Sequence, residues 1–269
     1  MKKTRLDKKF AALKNEGKRG FIAYIGAGDP CMDDSVDIVL KLEEAGVDIV
    51  ELGLPFSDPL ADGRVNQDAA TRALDAGATF DGVMEMVRKV RERSQIPMIF
   101  YAYLNTLMAR GFETAMKEAA DAGIDGFLIL DMPREEAGPY KGAIKVANLN
   151  NIVLITPTTP ESRMSKIVKN ANGFVYYVSR EGVTGVRDDG VAEGAAEQVA
   201  RIKKFTDLPI ALGFGIGTPK DAADAARCAD AVVVGSAIVN KFHNNPHTPE
   251  GRADAAEFVA ELVRAVKEV

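Results

Sequence analysis

The stretch Ile49-Val50-Glu51-Leu52-Gly53-Leu54-Pro55-Phe56-Ser57-Asp58-Pro59-Leu60-Ala61-Asp62-Gly63 sets one carboxylate inside an apolar run and a second in the turn-rich loop behind it. Ile49 to Leu54 has the composition of a buried strand. A charged group inside such a run is costly, so its presence needs a physical reason. Proton transfer supplies one, because a carboxyl group in a dry pocket exchanges protons near neutral pH. If Val50 and Leu52 face outward, Glu51 faces the opposite side of the sheet. A structural ion pair is the bland alternative for Glu51. Asp62, taken alone, reads as a solvated loop acid; its case rests on following the Glu51 strand.

Outward from this stretch, short β-rich runs alternate with helical periodicity along the chain. The runs are Phe21–Gly26, Asp48–Gly53, Pro97–Ala102, Gly126–Asp131, Asn151–Thr156, Gly173–Ser179, Pro209–Gly213 and Ala231–Gly235. Val36 to Ala45 carries apolar residues at helical spacing and stops at Gly46, and Ala122-Gly123 repeats that ending. Continuous apolar strands without strict alternation indicate a parallel sheet covered by helices. Eight such units in 269 residues predict a (β/α)8 barrel, the TIM-barrel architecture, as a single domain over residues 1–269. An open doubly wound sheet is the rival. The first turn, Gly26-Ala27-Gly28-Asp29-Pro30, lacks the third glycine of its fingerprint. Lys2–Asn15 reads as an extra amphipathic helix capping the barrel bottom.

In a barrel, the loops after strands form the functional face. Two are long: Leu54 to Ile96, and Arg180 to Leu208, whose Arg180–Gly190 segment reads as a lid. Gly213-Phe214-Gly215-Ile216-Gly217-Thr218-Pro219 closes the seventh run, with Thr218 an N-cap and Pro219 suited to the first helical turn. Val234-Gly235-Ser236-Ala237-Ile238 closes the eighth. Glycine-rich turns after these two strands, next to a helix N-terminus, make a phosphate cradle. Tyr24, Tyr103 and Tyr176 fall in or just after strands one, three and six, where they line a flat ligand or simply fill the core.

Composition narrows the function. Apolar residues are 46% and charged residues 27%, the balance of an ordinary globular protein, and the net charge of −5 argues against nucleic acid. No run reads as a signal peptide or a membrane span. Cys31 and Cys228 read as reduced thiols of a cytoplasmic protein. His243 and His247 lie in a polar stretch and read as surface residues, so no histidine pair and no metal site is expected.

The motifs ELGLPFSDPLADG, YIGAGDP, LILDMP, YVSREGVTG, LGFGIGTP and VVVGSAIV resemble, in this order, those of the tryptophan synthase α subunit family. The resemblance spans Phe21 to Phe242. It implies a (β/α)8 barrel that cleaves indole-3-glycerol phosphate to indole and glyceraldehyde 3-phosphate. It implies Glu51 and Asp62 as catalytic residues, with Tyr24, Tyr103, Tyr176, Thr184 and Phe214 at the substrate. Gly185, Gly215, Gly235 and Ser236 match phosphate-binding positions. It further implies no cofactor in this chain and a pyridoxal-phosphate-bearing β subunit as partner, in an α2β2 heterotetramer. Two residues depart from the family pattern: Arg64 stands where proline is usual and Asn66 where an aliphatic residue is usual. They keep open an α-like regulatory subunit of weak activity that binds ligand and activates a β partner. A different phosphate-sugar isomerase or epimerase is disfavoured because no inward histidine or metal-ligand cluster is expected.

Overall fold

A computed structural model describes residues 2–178, 194–213, 215–245 and 248–269. All eight predicted runs form strands: β1 (Gly20–Gly26), β2 (Ile49–Gly53), β3 (Met98–Ala102), β4 (Gly126–Ile129), β5 (Asn150–Ile155), β6 (Val175–Val178), β7 (Ile210–Gly213) and β8 (Ala231–Val234). They pair in parallel and in sequence order, and β8 returns to β1 through Gly20 opposite Ala231, closing the barrel. The open-sheet alternative is thereby excluded.

The helices are α1 (Arg5–Asn15), α2 (Met32–Glu44), α3 (Arg64–Asp75), α4 (Phe80–Arg91), α5 (Leu104–Arg110) and α6 (Phe112–Ala122) in the first half. In the second half are α7 (Lys141–Val146), α8 (Glu161–Val168), α9 (Ala195–Lys203), α10 (Pro219–Cys228), α11 (Ser236–Asn244) and α12 (Pro249–Lys267). Gly46 and Gly123 end their helices with φ of +91° and +110°, a conformation that costs glycine little. None of the described helices is long and apolar enough to cross a membrane.

Strand side chains alternate between two cores. Phe21, Ala23, Val50, Leu52, Met98, Phe100, Val232 and Val234 pack outward under the helices. Ile22, Ile49, Ile99, Leu128, Ile152, Phe174, Ala211 and Val233 fill the interior. The predicted N-terminal helix begins three residues late, at Arg5, because Thr4 is its N-cap in a reciprocal capping box with Asp7. Its Leu6, Phe10 and Leu13 join the interior core and stop the barrel bottom, with the Phe10 and Phe174 rings 5.6 Å apart.

A second device holds the same end. Just before each even-numbered strand, a polar side chain accepts the backbone N–H at the start of the preceding strand. Asp48 takes Phe21 N at 2.8 Å, Asp125 takes Met98 N at 3.0 Å, and Asp230 takes Ile210 N at 2.8 Å. Asn172 takes Asn151 N in the same way. Asp125 is buried with Arg91 at 3.2 Å. Burial pushes the Asp125 carboxyl above its ordinary range, against the Met98 N–H and the Arg91 and Arg5 charges, and lowers Arg91 to about 10.

Leu6 is fully buried in the bottom plug. Leu6→Ala should cost about 3 kcal/mol in urea unfolding, through lost burial plus the cavity left behind. A change under ~1 kcal/mol would mean that α1 is not part of the cooperative core.

Candidate active site

Glu51 shares parity with the interior residue Ile49, and its register partners are Tyr24 on β1 and Ile99 on β3. Its side chain therefore points into the barrel, above the apolar layer. It is 1% exposed and its Oε1 has no hydrogen-bond partner. Burial first, and the nearby Asp62 charge second, push its carboxyl up to about 8. At neutral pH it is a protonated acid holding a proton ready for transfer.

Asp62 differs from the solvated loop acid that its local sequence suggests. It is 3% exposed, because the loop folds back over the barrel mouth. The Tyr101 hydroxyl donates to its Oδ1 at 2.8 Å and the Tyr103 hydroxyl to its Oδ2 at 2.9 Å. The Tyr103 hydroxyl also accepts from Ala61 N at 2.9 Å, tying loop to strand end. Gln67 Nε2 donates to the Asp62 carbonyl at 2.8 Å. Burial raises the Asp62 carboxyl, while the two phenols and the Asn66 side chain oppose that rise. The site thus holds two buried carboxyl groups with contrasting surroundings, one lacking donors and one supplied with them.

Tyr24 and Tyr176 lie across neighbouring strands, and glycines make room for them. A Cβ on Gly53 would sit 2.3 Å from the Tyr24 hydroxyl, and one on Gly213 would sit 2.4 Å from that of Tyr176. Any side chain at either position would displace a site tyrosine. The Tyr24 and Tyr101 rings meet edge to face at 5.0 Å. Burial above all holds the phenols of Tyr24, Tyr101 and Tyr176 well above their ordinary range, so all three remain neutral donors.

Three of the four predicted phosphate positions, Gly215, Gly235 and Ser236, are described, and they follow β7 and β8. Gly215 follows β7 with φ of +73°, and Gly235 is the N-cap of α11, with Ser236 as the first helical residue. A Cβ on Gly235 would touch Tyr24 at 3.5 Å, so the α11 N-terminus stands beside the tyrosine wall. No side chain caps α11, whereas α10 is closed by Thr218 and Asp221 in a capping box. Only the first of these two helix ends keeps its positive pole open to an anion. Thr184 and Gly185, with the rest of Arg180–Gly190, lie outside the described residues, as do Phe214 and His247. His243 is exposed, and Cys31 and Cys228 are free thiols. Among the described residues no group of His, Cys, Asp and Glu is arranged to hold a metal ion.

Tyr101 was missing from the residues singled out by sequence. Its parity with Ile99, which points inward, is the signal that would have found it. Arg64 begins α3, is largely exposed, and pairs with Asp68 at 2.9 Å. Asn66 is 6% exposed.

The model of the tryptophan synthase alpha chain family matches residues 10–268. The chain belongs to that family. It is 45% identical over 269 residues to the tryptophan synthase alpha chain of Caulobacter sp. (strain K31), covering 99% of this chain and 98% of that one. The alpha chain of Phenylobacterium zucineum is 47% identical over 242 residues, covering 90% of this chain and 87% of that one. Among solved structures, the tryptophan synthase subunit alpha of Legionella pneumophila superposes with a TM-score of 0.89 at 34% identity, covering 99% of this chain and 100% of that chain. A structure of Mycobacterium tuberculosis tryptophan synthase gives a TM-score of 0.89 at 30% identity, covering 98% of each chain.

A carboxyl that keeps its proton up to about pH 8 in the fold, against about 4.5 ordinarily, binds more protons folded than unfolded between those values. Stability contributed by this group therefore falls as pH rises through that window, and the penalty is absent below it. Glu51→Gln removes the penalty. The stability gained over the parent chain should grow by a few kcal/mol between about pH 5 and pH 8 in urea unfolding. A gain that does not change with pH would show that Glu51 is not held protonated.

Proposed function

We propose that this chain cleaves indole-3-glycerol phosphate to indole and glyceraldehyde 3-phosphate, with Glu51 and Asp62 as its catalytic residues. The observation that carries the reading is Glu51 itself: a fully buried, protonated carboxylic acid facing inward beside a second carboxylate. Cleavage of the bond between the ring and the glycerol chain needs a proton on ring carbon C3. Glu51 gives that proton, and positive charge spreads to the ring nitrogen. Asp62 accepts a hydrogen bond from the indole N–H and stabilises this charge, and its two phenol donors favour its ionised form against the effect of burial.

The Glu51 carboxylate left by the first step is the base for the second. It takes the proton of the hydroxyl on the adjacent glycerol carbon. The oxygen electrons form the aldehyde carbonyl as the carbon–carbon bond breaks, and the bond pair returns to the ring. Glu51 ends as it began, protonated. Acid–base chemistry alone completes this sequence, which is why we assign no cofactor to this chain. Tyr24, Tyr103, Tyr176 and Phe214 line the flat ring. Gly185, Gly215, Gly235 and Ser236 receive the phosphate, and Thr184 engages the substrate end of the site beside Asp62. Phosphate binding then supplies energy remote from the reacting bond that holds it in place.

We also propose a pyridoxal-phosphate-bearing β subunit as partner, in an α2β2 assembly, and a cytoplasmic location. Leu60, at the tip of the Asp62 loop, is 87% exposed, and Met108 on α5 is 48% exposed. Between those elements Phe56, Leu74, Phe80 and Ala109 line a shallow apolar groove. Apolar surface on the rim of a site supports docking of a protein. The two free thiols suit a reducing compartment.

Purified chain incubated with indole-3-glycerol phosphate, with and without a β subunit, should release indole. Glu51→Gln should lower that rate at least about a hundredfold while substrate still binds. No indole from the intact folded chain in either condition, or a near-normal rate in Glu51→Gln, would overturn the reading.

A further inference from the structure

Two phenols meet the Asp62 carboxyl, and their other contacts give them different duties. The Tyr103 hydroxyl donates to Oδ2 at 2.9 Å and accepts from Ala61 N at 2.9 Å, and its ring lies 5.1 Å from that of Phe56. Tyr103 therefore grips the loop at Phe56, Ala61 and Asp62 together. Among the described residues, the Tyr101 hydroxyl bonds the Asp62 Oδ1 alone, at 2.8 Å. Tyr101 is itself held by the fold. It stands on β3 opposite Gly53, and its carbonyl accepts from Leu54 N at 2.9 Å. Its ring meets that of Tyr24 edge to face at 5.0 Å and packs on the cluster that Tyr24 forms with Ala69 of α3 and Val239 of α11. A phenol mounted on a closed sheet and packed in this way is a precise support for a reacting group.

Resting on the lyase reading above, we propose that Tyr101 is a positioning residue whose hydroxyl sets the direction of the Asp62 carboxylate before substrate arrives, while Tyr103 clasps the loop. The Asp62 backbone is tied down without Tyr101: its N–H donates to Pro59 O at 3.0 Å, and its carbonyl accepts from Gln67 Nε2 at 2.8 Å. What those bonds leave free is the turn of the carboxylate about its own side-chain bonds. With a donor on each oxygen, it cannot turn without breaking one of them. Each oxygen keeps a second lone pair for the ring N–H. The other titratable groups facing Asp62 are Glu51 on β2, Tyr24 on β1, Tyr103 after β3 and Tyr176 on β6, and none of them is a cation. On α3, Arg64 is turned to solvent with Asp68, and Arg72 is engaged by Asp29 at 2.7 Å. Direction and ionisation of Asp62 thus rest on neutral donors, and Tyr101 is the one that does not also hold the loop.

The test compares Tyr101→Phe, which keeps the ring and removes the hydroxyl, with Tyr103→Phe. In Tyr101→Phe the kcat should fall about tenfold with KM nearly unchanged. A carbon-13 titration should place the Asp62 midpoint about one pH unit higher, because a donor to the charged form is gone, and the acid limb of kcat/KM should move up with it. Chymotrypsin cleavage within residues 54–63 should stay as slow as in the parent chain, whereas Tyr103→Phe should speed it. Placing para-aminophenylalanine at position 101 restores an N–H donor and should return most of the lost rate. An unmoved midpoint, or cleavage as fast in Tyr101→Phe as in Tyr103→Phe, makes Tyr101 a packing residue or a loop tether and overturns the proposal. In the unaltered chain, the Tyr101 phenol carbon resonance should shift as Asp62 titrates. A flat response overturns the proposal as well, whatever the variant's folding. These titrations need no turnover, so a chain that releases no indole refutes the lyase reading while they still decide the role of Tyr101.

Discussion

One carboxylic acid enclosed by a closed sheet governs the rest of this structure. Glu51 Oε1 has no donor among the described residues and the side chain is almost shut off from solvent, so its proton is retained to about pH 8. Such a group survives inside an apolar interior only as the neutral acid, and that form is the one the chemistry requires. Its surroundings follow from this. The layer beneath it is apolar, the tyrosines around it are neutral, and among the described residues the neighbouring Asp62 carboxyl is held by phenols rather than by a cation. A lysine or arginine at the mouth would hold Asp62 more firmly. It would also pull Glu51 toward ionisation and remove the proton the reaction needs.

Most of this was legible in the sequence because period-2 alternation leaves a plain trace. With Val50 and Leu52 facing outward, Glu51 must face in, and the two cores bear that out. The eight strands were located by apolar runs between helical patterns, with end positions shifting by a residue or two. Thr218 and Pro219 marked the start of α10, and Gly235-Ser236 marked that of α11. Caps and turns are local, so neighbouring residues suffice to read them.

What the sequence hid depends on how the chain returns over itself. Asp62 lies in a stretch of turn formers with nothing local to indicate burial. Its environment comes from β3, about forty positions away, through Tyr101 and Tyr103. Gly213 read as part of the phosphate cradle and Gly53 carried no signal of its own, yet each is the space a tyrosine from the adjacent strand occupies. Asn66 stood out as a departure from the family pattern; only the fold shows that its amide is enclosed on the face that meets the Tyr24 wall.

The four latches beneath the barrel divide it into pairs of staves, each clasped at its foot by its own second member. Cohesion of that kind owes nothing to the rim where the reactive groups stand. The rim is consequently free to accept an awkward occupant, such as an acid kept from water or an amide oxygen lacking a partner, without the staves drifting apart. A lineage can exchange residues around the opening and alter what the cup holds while its base stays shut.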